Sequence, residues 1–156
     1  MLTFRTYLTK NDPDAICKIA ASTGFFDEND VELNRKLAEK ALRNKDCGYE
    51  YIIAEFGGEP VAYVCFGELP DAREGTFEIF WLSTLNSFRG CGIGHQLFSR
   101  LSEILKERDA QKLYVKTDNT DQYYPTRKFY EKCGFRREAV LKEYYDRKDC
   151  LLYTSP

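Results

Sequence analysis

Three glycines, Gly90, Gly92 and Gly94, occupy alternate positions just before a regular amphipathic pattern. Because glycine has no side chain, a ligand can come close to the main-chain N–H groups of such a segment. The first turn of the helix that follows has unpaired N–H groups and a partial positive charge, and both attract anions. Arg89 adds a guanidinium with a fixed set of donors beside the glycines. These residues therefore predict a phosphate-binding loop.

The spacing of the loop excludes two common kinds of phosphate site. A Walker loop needs Lys followed by Ser or Thr after its last glycine, whereas His95 and Gln96 follow Gly94. A dinucleotide fingerprint counted from Gly90 needs its third glycine at position 95, which is His95. The segment instead reads Arg-x-x-Gly-x-Gly from Arg89 to Gly94. A strand-to-helix turn that uses glycine only for tight packing is the alternative interpretation.

Hydrophobic periodicity places this loop between a strand and a helix and predicts the order β-α-α-β-β-β-α-β-α-β-β. The predicted strands cover residues 2–8, 49–56, 61–69, 76–85, 112–116, 135–144 and 150–154. The predicted helices run from Asp12-Pro13-Asp14 to near Gly24, over 28–43, from the glycine loop onward, and from Pro125 to Gly134. The apolar stripe of the second helix comprises Val31, Leu33, Leu37, Ala38, Ala41 and Leu42.

This order of elements predicts a single α+β domain over residues 1–156. We expect a mixed, mostly antiparallel sheet of about seven strands with helices on both faces. The fourth and fifth strands are expected to be parallel, because a helix joins them. The segment Gly57-Gly58-Glu59-Pro60 predicts a hairpin between the second and third strands.

Composition narrows the class of protein. The net charge is −2 and no block of basic residues is present, which argues against nucleic acid as a partner. The six cysteines include no Cys-x-x-Cys pair and there is one histidine, so we expect no metal site. The N-terminus lacks the apolar region of a signal peptide, and no run approaches the roughly 20 apolar residues of a membrane span. We therefore expect a cytoplasmic protein with no membrane partner.

A second motif lies about forty residues after the loop, where residues 129–135 read Phe-Tyr-Glu-Lys-Cys-Gly-Phe. With the Arg-x-x-Gly-x-Gly loop and the order of elements, it resembles the GNAT superfamily of N-acetyltransferases, which has Gln/Arg-x-x-Gly-x-Gly/Ala and Tyr-Glu-x-x-Gly-Phe. The resemblance covers nearly the whole chain. It implies direct transfer of an acetyl group from acetyl-CoA to an amine, in a small molecule or a peptide, within a ternary complex. A homodimer is compatible with it.

The same resemblance implies a cofactor site. The CoA pyrophosphate would lie on the loop, which comprises Arg89, Gly90, Cys91, Gly92, Ile93, Gly94 and His95. The pantetheine arm would bind backbone groups of Leu82, Ser83 and Thr84, where the fourth strand splays from the fifth. The family often has Asn and Ala where this chain has Tyr123 and Thr126. That departure keeps open a second hypothesis, a non-catalytic acyl-CoA-binding or regulatory module.

Acetyl transfer to an amine needs a base, because a lysine-like ammonium has a pKa of about 10.4. By resemblance, Glu78 in the fourth strand is the candidate, and Glu68 is the second choice. Strand alternation predicts that Glu78 shares a face with Phe80 and Leu82, so that burial would raise its pKa. The alternative is an ordinary glutamate that faces solvent.

Tyr130 matches the family tyrosine that donates a proton to the departing CoA thiolate. Phe129 and Cys133 form an apolar i, i+4 pair and Tyr130 is rotated away from that line, which favours a functional role over a place in the core. A thiol at a helix N-terminus, such as Cys91, could also act as a nucleophile near His95. We do not favour that mechanism, since pyrophosphate would occupy this loop, far from the thioester carbon.

Two loops of this fold border the acceptor cleft. The first contains Phe25, Phe26 and Asp27, and the second contains Tyr144, Tyr145 and Asp146. Aromatic and acidic side chains suit a small amine or a peptide N-terminus.

Overall fold

The predicted strands assemble into one sheet in a computed structural model that describes residues 1–145 and 148–155. The strands are β1 (Leu2–Arg5), β2 (Glu50–Phe56), β3 (Glu59–Glu68), β4 (Thr76–Thr84), β5 (Lys112–Asp118), β6 (Arg136–Tyr145) and β7 (Lys148–Ser155). The helices are α1 (Asp12–Ser22), α2 (Glu28–Arg43), α3 (Ile93–Glu107) and α4 (Tyr124–Lys132). Single turns of 3-10 helix cover Asn86–Phe88 and Asp121–Tyr123.

The sheet has the strand order β1-β2-β3-β4-β5-β7-β6. Among the described strands, only β4 and β5 pair in parallel, and the other neighbours are antiparallel. This topology confirms the predicted class, a mixed and mostly antiparallel seven-stranded sheet. Gly57 and Gly58 form the β2–β3 turn with φ angles of +62° and +83°, which glycine adopts most easily.

The first strand is shorter than predicted, because Arg5 ends it by pairing with the start of α1. The two terminal guanidinium nitrogens of Arg5, Nη1 and Nη2, donate to the Asp12 carboxylate at 2.6 Å. The same carboxylate accepts the N–H of Thr9 at 2.6 Å. Asp12 is buried, and its pairing and hydrogen bonds offset the cost of burying its charge. Residues 6–8 therefore turn toward the helix instead of extending β1.

Helices cover both faces of the sheet, as predicted. One face packs on α3 and α4, with a core that includes Ile52, Val64, Ile79, Leu97, Leu101, Val115, Tyr130 and Phe135. The opposite face packs on α1 and α2, with Ile16, Ile19, Ala38, Tyr51, Ile53, Tyr63 and Cys65. None of the helices in the described ranges combines the length and apolar character needed to cross a lipid bilayer.

The buried face of α2 differs from the predicted stripe. Asn34 and Ala38 are its buried residues, whereas Leu33 and Leu42 are exposed. The Asn34 Oδ1 accepts the Tyr63 hydroxyl at 2.6 Å, and its Nδ2 donates to the carbonyl of Asp30 at 2.9 Å. A satisfied polar side chain thus takes a core position that apolar periodicity alone cannot reveal.

A β-bulge interrupts β4 at Phe80. In the β3–β4 register Cys65 lies opposite Trp81 and Phe66 lies opposite Ile79, which leaves Phe80 as the extra residue. Phe80 and Trp81 consequently both pack on the α1–α2 face, and Leu82 packs on the opposite face. The prediction that Glu78, Phe80 and Leu82 share one face is therefore wrong for Leu82, since a bulge shifts strand alternation by one residue.

The parallel pairing of β4 with β5 ends early. Its last register pair is Ile79 with Val115, although β4 continues to Thr84 and β5 continues to Asp118. The two strands therefore diverge just beyond the middle of the sheet. That divergence opens a cleft between them.

Candidate active site

A cleft of about 1110 Å³ lies where β4 and β5 diverge. Its walls include the loop before α3, the start of α4 and the α1–α2 loop. Most of the residues predicted from the sequence line it, namely Glu78, Leu82, Ser83, Thr84, Arg89, Gly90, Gly92, Ile93, Gly94, His95 and Tyr130. Cys91 is exposed and lies outside the lining. Tertiary structure thus brings residues of β4, α3, α4 and the loop between β4 and α3 to one cavity.

Two glycines of the loop are needed for their backbone conformation. Gly90 has φ +79° and Gly92, the N-cap residue of α3, has φ +77°. Among the described residues, a Cβ at either position would meet no atom within 4 Å, so glycine is required here for its backbone conformation and the space beside the loop is open. Within the described residues no side chain caps this helix. Its first N–H groups are therefore free to bind an anion.

At Gly94 glycine is required for space, because α3 and α4 approach each other closely at this residue. A Cβ at Gly94 would lie 3.1 Å from Cε1 of Phe129. The His95 ring also lies 4.7 Å from the Phe129 ring, and its Nδ1 lies 3.6 Å from the Cys133 Sγ. Tight packing, the alternative interpretation of the glycine pattern, therefore applies to Gly94 and not to the two glycines before it.

Arg89 connects the loop to the opposite wall of the cleft. Its guanidinium carbon lies 5.5 Å from the centre of the Phe25 ring in the α1–α2 loop. The Phe25 ring in turn lies 5.7 Å from that of Tyr123, which occupies the position of the family asparagine. Both aromatic residues line the cleft. Tyr123 thus supplies an aromatic wall where the family pattern has an amide.

The β4 edge along Leu82, Ser83 and Thr84 pairs with β3 on one side. On its other side the register with β5 has already ended at Ile79. Backbone groups of these three residues therefore face the gap without a β5 partner. An extended ligand could pair with them as an added strand does.

Glu78 is 8% exposed and lines the cleft. Burial raises the pKa of its carboxyl group above the ordinary value, and the attraction of Lys116 opposes that rise without cancelling it. The Lys116 Nζ lies 3.6 Å from Glu78 Oε1. Glu68, by contrast, is exposed outside the cleft, where its carboxylate accepts the N–H of Gly75 at 2.8 Å.

Lys116 is a residue of the site that sequence reasoning missed. It lies in β5, two positions after Tyr114, the parallel partner of Glu78. Strand alternation places Lys116 on the same face as Tyr114, and therefore beside the Glu78 carboxylate. The signal was present in β5, but it becomes readable only once the register between the two strands is known.

Tyr130 belongs both to the core and to the cleft. It is 5% exposed, and its ring packs at 5.3 Å against the rings of Phe129 and Phe135. The prediction that Tyr130 is rotated away from the core is therefore wrong, since it is the buried residue of α4 while Phe129 and Cys133 are half-buried. Burial, and to a lesser degree Cys133, raises the pKa of the Tyr130 hydroxyl, which keeps it protonated.

The two loops predicted to border the acceptor cleft do line it, with Phe25, Phe26, Asp27, Tyr144 and Tyr145. Asp146 lies outside the described residues. The lining also includes Tyr49 and Trp81, two aromatic residues that sequence reasoning did not assign to the site.

Known proteins share sequence and fold with this chain. The sequence profile of the Acetyltransferase (GNAT) family matches residues 14–135. The [ribosomal protein bS18]-alanine N-acetyltransferase of Haemophilus influenzae is 32% identical over 69 residues. That match covers 44% of this chain and 45% of the relative, so the chain spans about half the length of this relative.

Two solved structures show the same fold. A protein of Desulfovibrio desulfuricans, provisionally described as a GNAT-family acetyltransferase, superposes with a TM-score of 0.94 and 28% identity, covering 99% of this chain and 98% of that chain. The PaiA N-acetyltransferase of Thermoplasma acidophilum, solved in complex with coenzyme A, has a TM-score of 0.75 and 15% identity, covering 99% and 98%. These findings confirm the resemblance drawn from the two motifs. The chain belongs to the GNAT family of acetyltransferases.

Proposed function

We propose that this protein transfers the acetyl group of acetyl-CoA to a primary amine of a small molecule or peptide, by direct attack in a ternary complex. One observation carries the proposal. A single cleft joins an uncapped helix N-terminus to a buried carboxylate, Glu78, along a free strand edge. That arrangement suits a ligand with phosphate at one end, amide groups in the middle and a reacting group at the other end.

The loop would hold the CoA pyrophosphate through main-chain N–H groups between Gly90 and His95. Arg89 lies beside it as a cation. The β4 edge from Leu82 to Thr84 would pair with the amides of the pantetheine arm. Support comes from the coenzyme A complex of the structurally similar PaiA enzyme, which has the same fold.

Glu78 would act as the base. A carboxylate with a raised pKa binds a proton more tightly than an ordinary one, so it can accept the proton of the attacking amine. As the N–C bond forms and the C–S bond breaks, Tyr130 would donate its proton to the departing thiolate. Backbone N–H groups of Leu82, Ser83 and Thr84 are the candidates to stabilise the charge that develops on the carbonyl oxygen.

The decisive experiment is a panel of primary amines and peptides with acetyl-CoA, followed by the release of free CoA thiol. We expect amine-dependent release, and acetyl-CoA alone should raise the melting temperature because it binds only the folded state. No thermal shift at millimolar acetyl-CoA, in a protein shown to be folded, would contradict the proposal.

A non-catalytic acyl-CoA-binding or regulatory module is the second candidate. Tyr123 favours it, because an aromatic ring packed on Phe25 replaces the asparagine of the family pattern. Tight binding of acetyl-CoA with slow hydrolysis, and without dependence on any amine of the panel, would support this second function.

A further inference from the structure

Side chains from three strands meet where the pairing of β4 with β5 ends. The last register pair of β4 and β5 is Ile79 with Val115. Glu78 directly precedes Ile79 in β4, and Lys116 directly follows Val115 in β5. The Lys116 Nζ lies 3.6 Å from Glu78 Oε1 and 3.4 Å from the Tyr144 hydroxyl oxygen of β6. It also lies 5.5 Å from the centre of the Tyr144 ring. The Lys116 ammonium is thus held between a carboxylate and an aromatic ring.

The position of Tyr144 follows from an irregularity at the end of β6. Leu141 pairs with Cys150 and Tyr145 pairs with Lys148, so β6 contains two more residues than β7 over this stretch. Glu143 adopts a left-handed conformation, with φ +51°. Its N–H donates to Oδ1 of Asp149 at 2.9 Å, which supports the turned backbone.

We propose that Lys116 is a positioning residue, whose ammonium keeps the buried Glu78 carboxylate ionised and oriented, and that Tyr144 holds Lys116 in place. This inference rests on the proposed role of Glu78 as the base. A buried carboxyl group alone would favour its neutral form, which cannot accept a proton. A cation at 3.6 Å favours the charged form, and Glu78 is then ready when the amine arrives.

Among the described residues, Lys116 is the cation paired with Glu78. Tyr145 of β6 is a second titratable group near Glu78. Burial, Cys150 and, in smaller part, the charges of Tyr144 and Glu78 raise its pKa, so it remains neutral. The pKa of Lys116 is also raised, because attraction to Glu78 and the contact with Tyr144 outweigh its partial burial. Lys116 therefore stays charged at neutral pH.

The test measures the titration of Glu78 directly. Carbon-13 NMR of side-chain carboxyl groups follows the titration of each glutamate, and Glu78→Gln assigns the Glu78 signal. In Lys116→Met we expect the Glu78 pKa to rise by about 1 unit or more, which weakens its acidity at least tenfold. Lys116→Arg keeps the charge and should stay near the native value. Tyr144→Phe should move the pKa in the same direction as Lys116→Met, by less.

Lys148→Met is the matched control, because Lys148 also lines the cleft yet forms no ion pair with Glu78 among the described residues. The Glu78 titration should be unchanged in it. An unchanged Glu78 pKa in folded Lys116→Met overturns the inference. If Lys116→Met fails to fold, Lys116→Gln provides a second neutral variant for the same measurement.

The pH dependence of kcat/KM distinguishes a failure of this inference from a failure of the proposed function. In Lys116→Met the apparent pKa of the acidic limb of the kcat/KM–pH profile should rise by as much as the Glu78 pKa measured by NMR. The KM for acetyl-CoA should stay unchanged. A shift in the NMR titration without a shift in the limb supports the influence of Lys116 on Glu78 but overturns Glu78 as the base. The same upward shift in both measurements supports both proposals.

Discussion

Gly94 of α3 lies directly against the ring of Phe129 in α4. A Cβ at Gly94 would be 3.1 Å from Cε1 and 3.2 Å from Cζ of that ring, closer than ordinary van der Waals contact. The Phe129 ring touches His95 and Tyr130, which both line the cleft. The packing of α3 against α4 on this side of the cleft therefore requires that residue 94 has no Cβ.

Gly94→Ala should consequently destabilise the protein, although alanine is the better helix former. Overpacking costs about 1–3 kcal/mol, and the gain in helix propensity offsets about 1 kcal/mol of it. Urea unfolding measures the difference. In the double variant with Phe129→Leu, which makes room for the methyl group, the added cost of Gly94→Ala should largely disappear. If the cost of Gly94→Ala were the same in the native and the Phe129→Leu backgrounds, the close approach of Gly94 to Phe129 would be contradicted.

Gly92→Asp should abolish the binding of acetyl-CoA, because it adds bulk and negative charge where phosphate would approach the backbone. Gly58→Asp is the matched control, since Gly58 also has a positive φ and open space around it but lies in the β2–β3 turn. Isothermal titration calorimetry with acetyl-CoA should show loss of binding in the first variant only. Equal affinity in both would assign Gly92 a purely conformational role.

Tyr130→Phe should lower turnover by about 10²–10⁴-fold if the hydroxyl protonates the thiolate, which is the usual range for a positioned acid. The KM for acetyl-CoA should change little, because the proton is donated in the transition state. Steady-state kinetics with an amine from the panel measures both constants.

Tyr153→Phe is the control for that substitution. The Tyr153 hydroxyl is buried without a hydrogen-bond partner among the described residues, and Tyr153 does not line the cleft. Its removal should leave turnover within a few-fold of the native value. A fully active Tyr130→Phe would leave Tyr130 as a core aromatic residue only.

Glu78 should make the free energy of unfolding depend on pH. Its pKa in the folded protein is raised above the unfolded value of about 4.3, so the stability it contributes is present below about pH 4.3 and is lost as the pH rises through the folded pKa. Because glutamine does not titrate, Glu78→Gln does not lose stability in this way as the pH rises. Urea unfolding at pH 4 and pH 8 should therefore show a relative gain for Glu78→Gln at the higher pH. If Glu78→Gln changed the free energy of unfolding by the same amount at pH 4 and at pH 8, this would show that the Glu78 pKa is not raised.

Local sequence patterns determined much of this protein. Element order, the parallel pair and the helix after the glycine loop all follow from hydrophobic periodicity and from turn residues such as Gly57 and Gly134, which act over a few neighbouring positions. The two family motifs led to the family itself. The length of β1 was mispredicted because Arg5 pairs with Asp12, a contact that no alternation pattern contains.

Tertiary structure alone decided the electrostatics and the packing of the site. Glu78 meets Lys116 across 38 positions of chain only through the β4–β5 register, and the bulge at Phe80 moves Leu82 to the opposite face. Tyr130 is buried because α4 turns that side toward the sheet. Burial and charge pairing depend on which distant residues come together, and a one-residue shift in register changes every such neighbour.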